Sequence, residues 1–297
     1  MNIPIVFSFD NKFTIPAGVC ITSLLKNTKE GVYYTIYILY SSSRLNKTNI
    51  NKITSIQNKY TNCSFNFIDV KNSFHNSYEV RDVTIESYYR LLIPTILGDI
   101  PKVIYCDVDV IINKDISDLF ALDISGKSIA GVQEHPNFQN KTQIKYIHKL
   151  NLKPSCYINA GVLLFNNTNI NSKYDYKKTI KEMSVKKFKF QDQDILNIIF
   201  QNDIYFLPNK YNYTLTSIEQ GVLIKEPSIF HYILAKPWNE PKLFGDLWWE
   251  YYKKSIFFDE DFYCNYLYNN LELSRHIRFG KILQRVGVYK MIDFLRR

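Results

Sequence analysis

Cysteine is scarce and unpaired in this chain. The 297 residues include five, at Cys20, Cys63, Cys106, Cys156 and Cys264, with no C-x-x-C pair. An odd, scattered set excludes a disulfide scaffold and a thiolate zinc site, and it points to a reducing compartment. Long apolar runs are also missing: none approaches the ~18 residues that a bilayer-spanning helix needs. The apolar opening Ile3–Phe9 stops at Asp10 with no basic lead-in. No signal peptide is therefore expected, and the cytoplasm is the expected location. Only ten glycines occur, and they build no phosphate loop. There is no G-x-G-x-x-G after the first apolar run and no Walker sequence, which argues against a Rossmann dehydrogenase or a P-loop enzyme. No internal repeat is visible.

What is present is enough apolar material for a sizeable core. Hydrophobic residues make up 46% of the chain, so intrinsic disorder is excluded, and the length fits one large α/β domain, or one such domain with a small appendage. Basic residues number 37 against 28 acidic ones, a net charge of +9. Such a balance implies an anionic partner: nucleic acid, nucleotide or anionic lipid. Its distribution is uneven. Residues 271–297 carry Arg275, Arg278, Lys281, Arg285, Lys290, Arg296 and Arg297 against Glu272 and Asp293, so more than half the excess lies in the last tenth of the chain.

Ile5–Phe9 reads as a buried strand. A helical stretch over about Phe13–Leu25 and a β-rich run, Tyr33–Tyr40, follow. Residues 44–59 have isoleucines at helical spacing, and Ser64–Val70 is again strand-like. This alternation, in units of roughly 25–30 residues, indicates a parallel sheet with crossover helices, which binds ligands at the carboxyl ends of its strands. A helix over Ser87–Leu97 carries Arg90. Strands are expected at Lys102–Cys106, Ser128–Val132 and Gly161–Phe165, and a helix over about Asp192–Phe200. Beyond Pro237 the composition turns to aromatic helical segments.

The sharpest chemical feature is Tyr105-Cys106-Asp107-Val108-Asp109-Val110. Two aspartates inside an apolar run are costly to bury unless something neutralises them. In an extended strand, residues i and i+2 share a side, so both carboxylates could meet one cation, with hard oxygens suiting Mg²⁺ or Mn²⁺. Two aspartates capping the next loop would explain the same pattern. His231, at the end of another apolar run, suits a third metal ligand or a satisfied core position. Lys236 could neutralise a phosphate, whereas Trp238 reads as packing. Asp192-Gln193-Asp194 reads as an acidic first helical turn, favourable against the helix dipole. Asn159-Ala160-Gly161-Val162 is a small-residue strand start whose amide could bond a polyhydroxylated ligand.

Taken in order, Asp10, Arg90, Asp107-x-Asp109, Asn159-Ala160-Gly161-Val162, Asp192-Gln193-Asp194 and His231…Lys236-Pro237-Trp238 resemble glycosyltransferase family 8 over about residues 3–240. That family includes glycogenin and the bacterial lipopolysaccharide galactosyl- and glucosyltransferases, and the chain resembles the lipopolysaccharide branch more than glycogenin. The resemblance implies an α/β chain of GT-A fold: a single Rossmann-like, mostly parallel central sheet flanked by helices, with a C-terminal helical extension. Its catalytic domain would span 1–245 and the extension 246–297. It implies Mn²⁺-dependent (or Mg²⁺-dependent), anomer-retaining transfer from UDP-galactose or UDP-glucose to a saccharide or glycolipid acceptor. Carried over, Asp107, Asp109 and His231 would ligate the metal. Asp10 and the backbone near Val108 would hold the nucleotide, and Lys236 the diphosphate. Arg90, Asn159, Ala160, Asp192 and Gln193 would surround the donor sugar, the catalytic set being Gln193, Asp192 and Arg90. One departure stands out: the family's His-x-x-Gly-x-x-Lys-Pro-Trp is one residue shorter here and lacks the glycine, so the loop over the diphosphate must take another path.

The tail, Arg275–Arg297, mixes Ile277, Ile282, Leu283, Val286, Ile292, Phe294 and Leu295 with its basic residues. It reads as an interfacial amphipathic helix interrupted at Gly280 and Gly287, suited to an anionic membrane surface. A C-terminal helix packed on its own domain is the alternative. Two rivals follow from composition and from the shortened loop: a nucleic-acid-binding protein, for which no recognition motif appears, and a catalytically silent nucleotide-sugar binder.

Overall fold

The structure is a computed structural model that describes residues 1–79, 84–134, 141–219, 221–233, 236–241 and 243–285. Contacts divide the chain into two compact units, Met1–Ile233 and Leu234–Arg297, a division that falls ahead of residue 245.

The first unit is built on a seven-stranded sheet of β1 (Asn2–Ser8), β2 (Tyr33–Tyr40), β3 (Cys63–Asp69), β4 (Lys102–Cys106), β6 (Ile129–Gln133), β7 (Ile158–Asn166) and β8 (Ile204–Leu207), in the order β3-β2-β1-β4-β7-β6-β8. The unbroken apolar run of β1 is buried on both faces, the mark of a central parallel strand. It pairs in parallel with β2 and β4. Only β7 runs against its neighbours, antiparallel to both β4 and β6. This reversal brings the amino-terminal end of β7, with Asn159, Ala160 and Gly161, to the edge where β1, β4 and β6 end. A separate three-stranded sheet joins β5 (Val110–Ile112), β10 (Ile229–His231) and β9 (Tyr213–Thr214).

Two local expectations need correcting. The segment carrying Arg90 is not an α-helix over Ser87–Leu97 but a 3₁₀ helix, Ile85–Leu92, followed by a short α-turn, Ile93–Ile96. Pro94 has no N–H to give the carbonyl of Arg90, which instead accepts from the Ile93 N–H, one residue closer. The tighter winding buries Tyr88, Tyr89, Arg90 and Leu91 together. Second, β4 ends at Cys106 and β5 begins at Val110. Asp107–Asp109 is therefore the turn between the two sheets, and its carboxylates meet by bending rather than by strand alternation. The Asp107 N–H donates to the Gly161 carbonyl at 2.8 Å, and the Asp109 carbonyl accepts from the Tyr232 N–H at 3.0 Å.

In the second unit, Gly245–Lys254 and Glu260–Arg285 are helices. Trp238, Trp248, Trp249 and Tyr252 form an aromatic cluster, with the Trp238 and Trp248 rings 5.1 Å apart, so Trp238 packs as expected. The helix Glu260–Arg285 runs through Gly280 without the interruption expected there. A helical glycine costs only ~1 kcal/mol relative to alanine, too little to break a long helix. Gly287 and residues 286–297 lie outside the described residues.

Candidate active site

Asp107, Asp109 and His231 each direct one ligand atom into a common cluster, all within 4.8 Å of one another. His231 Nε2 lies 3.2 Å from Asp109 Oδ1 and 3.9 Å from Asp107 Oδ2. Neighbouring ligands on a small six-coordinate divalent ion, with bonds of ~2.1 Å, are about 3 Å apart. The donor set of two carboxylates and an imidazole suits such an ion. His231 is buried, and it reaches the turn because β10 pairs with β5, placing His231 opposite Val110. Gly161 leaves room for it. A Cβ there would lie 2.3 Å from His231 Cε1, 2.7 Å from its Nδ1 and 3.0 Å from Asp107 Oδ2.

Beside the cluster, Arg90 is almost wholly buried. Its Nη2 donates to Asp107 Oδ1 at 2.8 Å, its Nε pairs with Asp192 Oδ2 at 3.0 Å, and its Nη1 donates to the Ala160 carbonyl. The guanidinium also lies 4.4 Å from the Tyr105 ring centre, a cation–π contact. Burial works against this charge, but Asp107 and Asp192 outweigh it and raise the pKa of Arg90 above the ordinary arginine value. Asp192 is pushed up to about 6, by burial first and against the pull of Arg90. Asp107 Oδ1 also accepts from the Tyr105 hydroxyl at 2.7 Å, and that hydroxyl lies 3.1 Å from Ser8 Oγ.

Asp192 and Gln193 open the helix Gln191–Phe200, after Gln191 in the left-handed region at φ 44°. Gln193 Oε1 accepts from the Ala160 N–H at 3.1 Å, and its Nε2 faces Glu134 Oε2 at 3.4 Å. Asn159 Nδ2 faces the same Glu134 oxygen at 3.4 Å. Burial raises the pKa of Glu134 while these two amides oppose the rise. Asp194 stands apart from this group. It accepts from the Tyr146 and Tyr157 hydroxyls at 2.6 Å each and from the Phe190 N–H at 2.8 Å, which fixes the start of the helix.

Asp10 follows the central strand β1 and caps the 3₁₀ turn Asn11–Phe13. Its Oδ1 accepts from the Lys12 and Phe13 N–H groups, and its Oδ2 lies 3.7 Å from Arg44 Nη2. Arg44 in turn forks onto the buried Glu86. Burial, and then the Glu86 charge, raise the pKa of Asp10. Val108 is buried between the two aspartates. The structure thus joins Asp107, Asp109, His231, Arg90, Asn159, Ala160, Asp192 and Gln193 in one contact network. Lys236 belongs to the second unit, and Leu234 and Ala235, within the shortened loop, lie outside the described residues. Sequence reasoning missed Arg44, Glu86 and Asn212. It also missed the steric need for Gly161, for which its place in a small-residue run was the only signal.

The mostly parallel sheet, with an acidic turn at its carboxyl edge, is a GT-A fold. It superposes on galactosyltransferase LgtC, solved with donor and acceptor sugar analogues, with a TM-score of 0.75 at 20% identity, over 87% of this chain and 98% of LgtC. The bifunctional glycosyltransferase WbbM gives 0.77 at 23% identity, over 90% of this chain and 52% of its own. In sequence, the profile of glycosyl transferase family 8 matches residues 4–242, and the chain belongs to that family. A putative glycosyltransferase of Haemophilus influenzae is 30% identical over 229 residues, 76% of this chain and 66% of that protein. A lipopolysaccharide 1,2-glucosyltransferase of Escherichia coli is 25% identical over 251 residues, 79% and 72% respectively. The match spans just under two thirds of the Haemophilus relative.

Proposed function

We propose that the protein transfers galactose or glucose from a UDP-sugar to a saccharide acceptor of the lipopolysaccharide or another cell-surface glycan, with retention at the anomeric carbon. The observation that carries this reading is the convergence of Asp107, Asp109 and His231 beside the Arg90–Asp192–Gln193 group. Asp107, Asp109 and His231 would hold Mn²⁺ or Mg²⁺. Such an ion, when bound, supplies Lewis-acid stabilisation of the charge that builds on the departing diphosphate. Arg90 fixes Asp107 on one side and Asp192 on the other, so the ligand-bearing turn and the sugar-binding helix keep one spacing. Asp10 and the Val108 backbone hold the nucleotide, and Asn159 and Ala160 border the sugar.

Retention without a covalent adduct suits these side chains. The Gln193 amide oxygen is engaged by the Ala160 N–H, Asp192 is tied to Arg90, and Asp194 is held by two tyrosines. This favours attack on the same face that the phosphate leaves, with a departing phosphate oxygen taking the acceptor proton.

The test is UDP release across a panel of UDP-sugars with Mn²⁺. Release is expected with UDP-galactose or UDP-glucose. Asp109→Ala should lower it by about 10³, because charges ~4 Å apart gain about 4 kcal/mol at an effective dielectric near 20. Equal release from the variant, or release from neither hexose donor, would sink the reading.

Membrane docking is the second element of the proposal. Among the described residues, no helix is long and apolar enough to cross a membrane. Yet Phe262, Leu267, Tyr268, Leu271, Phe279 and Ile282 are exposed on the helix Glu260–Arg285, which also bears Arg275, Arg278, Lys281 and Arg285. Each basic residue near an anionic leaflet adds ~1 kcal/mol. Such a surface would place the enzyme on the cytoplasmic face of a membrane that holds a glycolipid acceptor. Deleting residues 271–297 should abolish cosedimentation with phosphatidylglycerol vesicles at low salt; unchanged sedimentation would reject the docking role.

A further inference from the structure

We infer that Asn212 is a positioning residue that fixes the tautomer of His231, keeping the ring hydrogen on Nδ1, away from the two aspartates. The inference rests on the metal reading above for its purpose, but not for its geometry. Asn212 and His231 are both buried. Asn212 follows a 3₁₀ turn, Asn209–Tyr211, and leads into β9, which pairs in parallel with β10.

The assignment propagates from one donor that cannot be reversed. The Gly161 backbone N–H points at Asn159 Oδ1 at 2.9 Å. A backbone N–H can only donate, so the Asn159 atom it meets is the carbonyl oxygen. The same oxygen lies 2.8 Å from the nearer Asn212 side-chain atom, which must then be the Asn212 amide nitrogen. The other atom of that amide is therefore Oδ1, and it lies 2.9 Å from His231 Nδ1. An amide oxygen only accepts, so Nδ1 carries the hydrogen. In the neutral ring this leaves Nε2 as a bare lone pair, 3.2 Å from Asp109 Oδ1.

The orientation of one peptide group thus passes through two asparagine amides to a ring tautomer. With Nδ1 protonated by this relay, the neutral imidazole turns only its lone pair toward Asp107 and Asp109. Three lone-pair-bearing atoms then converge where a cation would sit. Partners of this kind, which fix the tautomer and orientation of a ligating histidine, typically change metal affinity 10–100-fold when removed. Asn212 bonds Asn159 on one side and His231 on the other, and of these two only His231 belongs to the Asp107–Asp109–His231 cluster, so an effect of Asn212 on the cluster would pass through His231.

The test uses the full-length, metal-free protein labelled with ¹⁵N-histidine at pH 8.5. Long-range ¹H–¹⁵N correlation distinguishes the two tautomers, and His231→Gln identifies the His231 signals. The expected wild-type pattern is Nδ1–H with unprotonated Nε2. Asn212→Leu should shift His231 toward the Nε2–H form and weaken Mn²⁺ binding about 10–100-fold, as read from the electron paramagnetic resonance of free Mn²⁺. Asn212→Asp, whose carboxylate also only accepts, should keep the Nδ1–H pattern. A wild-type ring whose Nδ1 carries no hydrogen overturns the inference even if no variant folds, as does an unchanged pattern in Asn212→Leu. An Nδ1–H wild type that takes up no Mn²⁺ supports the Asn212 assignment and overturns the metal reading alone.

Discussion

Replacing Arg90 by alanine is expected to destabilise the first unit by about 3–5 kcal/mol, the cost of removing one partner from a buried ion pair. Arg90 meets four acceptors, Asp107, Asp192 and the Ser87 and Ala160 carbonyls, and alanine takes the cation from all of them, leaving Asp107 only its bond from the Tyr105 hydroxyl. Two effects oppose each other here. Burying a guanidinium is costly, so a well-packed apolar substitute for the whole group could be harmless, but removing the cation alone leaves two carboxylates facing each other. The pH dependence follows in sign. Asp192 is already pushed up to about 6, and without Arg90 it rises further. Its neutral form is then favoured by folding, so the deficit is smallest in acid and grows as pH climbs past about 6. Urea unfolding at pH 5 and pH 8 measures both points. Arg90→Lys, which keeps the charge but loses the fork, should fall between wild type and alanine. An alanine variant within ~1 kcal/mol of wild type at pH 8 would show that these contacts do not hold the site.

Gly161→Ala is expected to abolish tight Mn²⁺ binding while leaving most of the sheet intact. Propensity alone gives the opposite sign, since a glycine inside a strand is about 0.5–1 kcal/mol worse than alanine. Sterics decide. The new Cβ would lie 2.3 Å from His231 Cε1 and 3.0 Å from Asp107 Oδ2, well inside van der Waals contact, so the ring must move. Overpacking of this kind costs about 1–3 kcal/mol, and the displaced imidazole no longer faces Asp109. Mn²⁺ titration should show at least a hundredfold loss, at or beyond the upper end of the range for perturbing a ligand's surroundings. Wild-type affinity in Gly161→Ala would mean that His231 is not a ligand.

Six of the seven strands of the large sheet were legible, most of them as apolar runs, whereas β8, whose two middle residues are exposed, was not. Tyr33–Tyr40 and Lys102–Cys106 appear as strands with the expected bounds. The clustering of Asp107, Asp109 and His231 was anticipated for the two aspartates by their spacing and for His231 by the family resemblance, although the two carboxylates meet through a turn rather than a pleat. The supporting residues could not be read that way. Arg44 and Glu86 are 42 positions apart, and Asn212 and Asn159 are 53 apart. Their pairing exists only because the fold brings them together, and of the four only Asn159 sits in a pattern of its own. Gly161 was visible as a small residue, but its requirement comes from an imidazole on the other sheet. The 3₁₀ winding around Arg90 could have been anticipated from Pro94, whose missing N–H rules out a regular α-helix at that point.

The Asp107–Asp109 turn is the stretch of chain that leaves the large sheet and enters the small one, and His231 ends the small sheet's middle strand. The trio therefore straddles a seam. β9 and β10 pair over only two residues, the sort of short ladder that frays before a central strand does. An ion grasped from both sides would act as a rivet between the two sheets. Occupancy of the site and pairing of the sheets would then be linked, with each favouring the other by the same free energy.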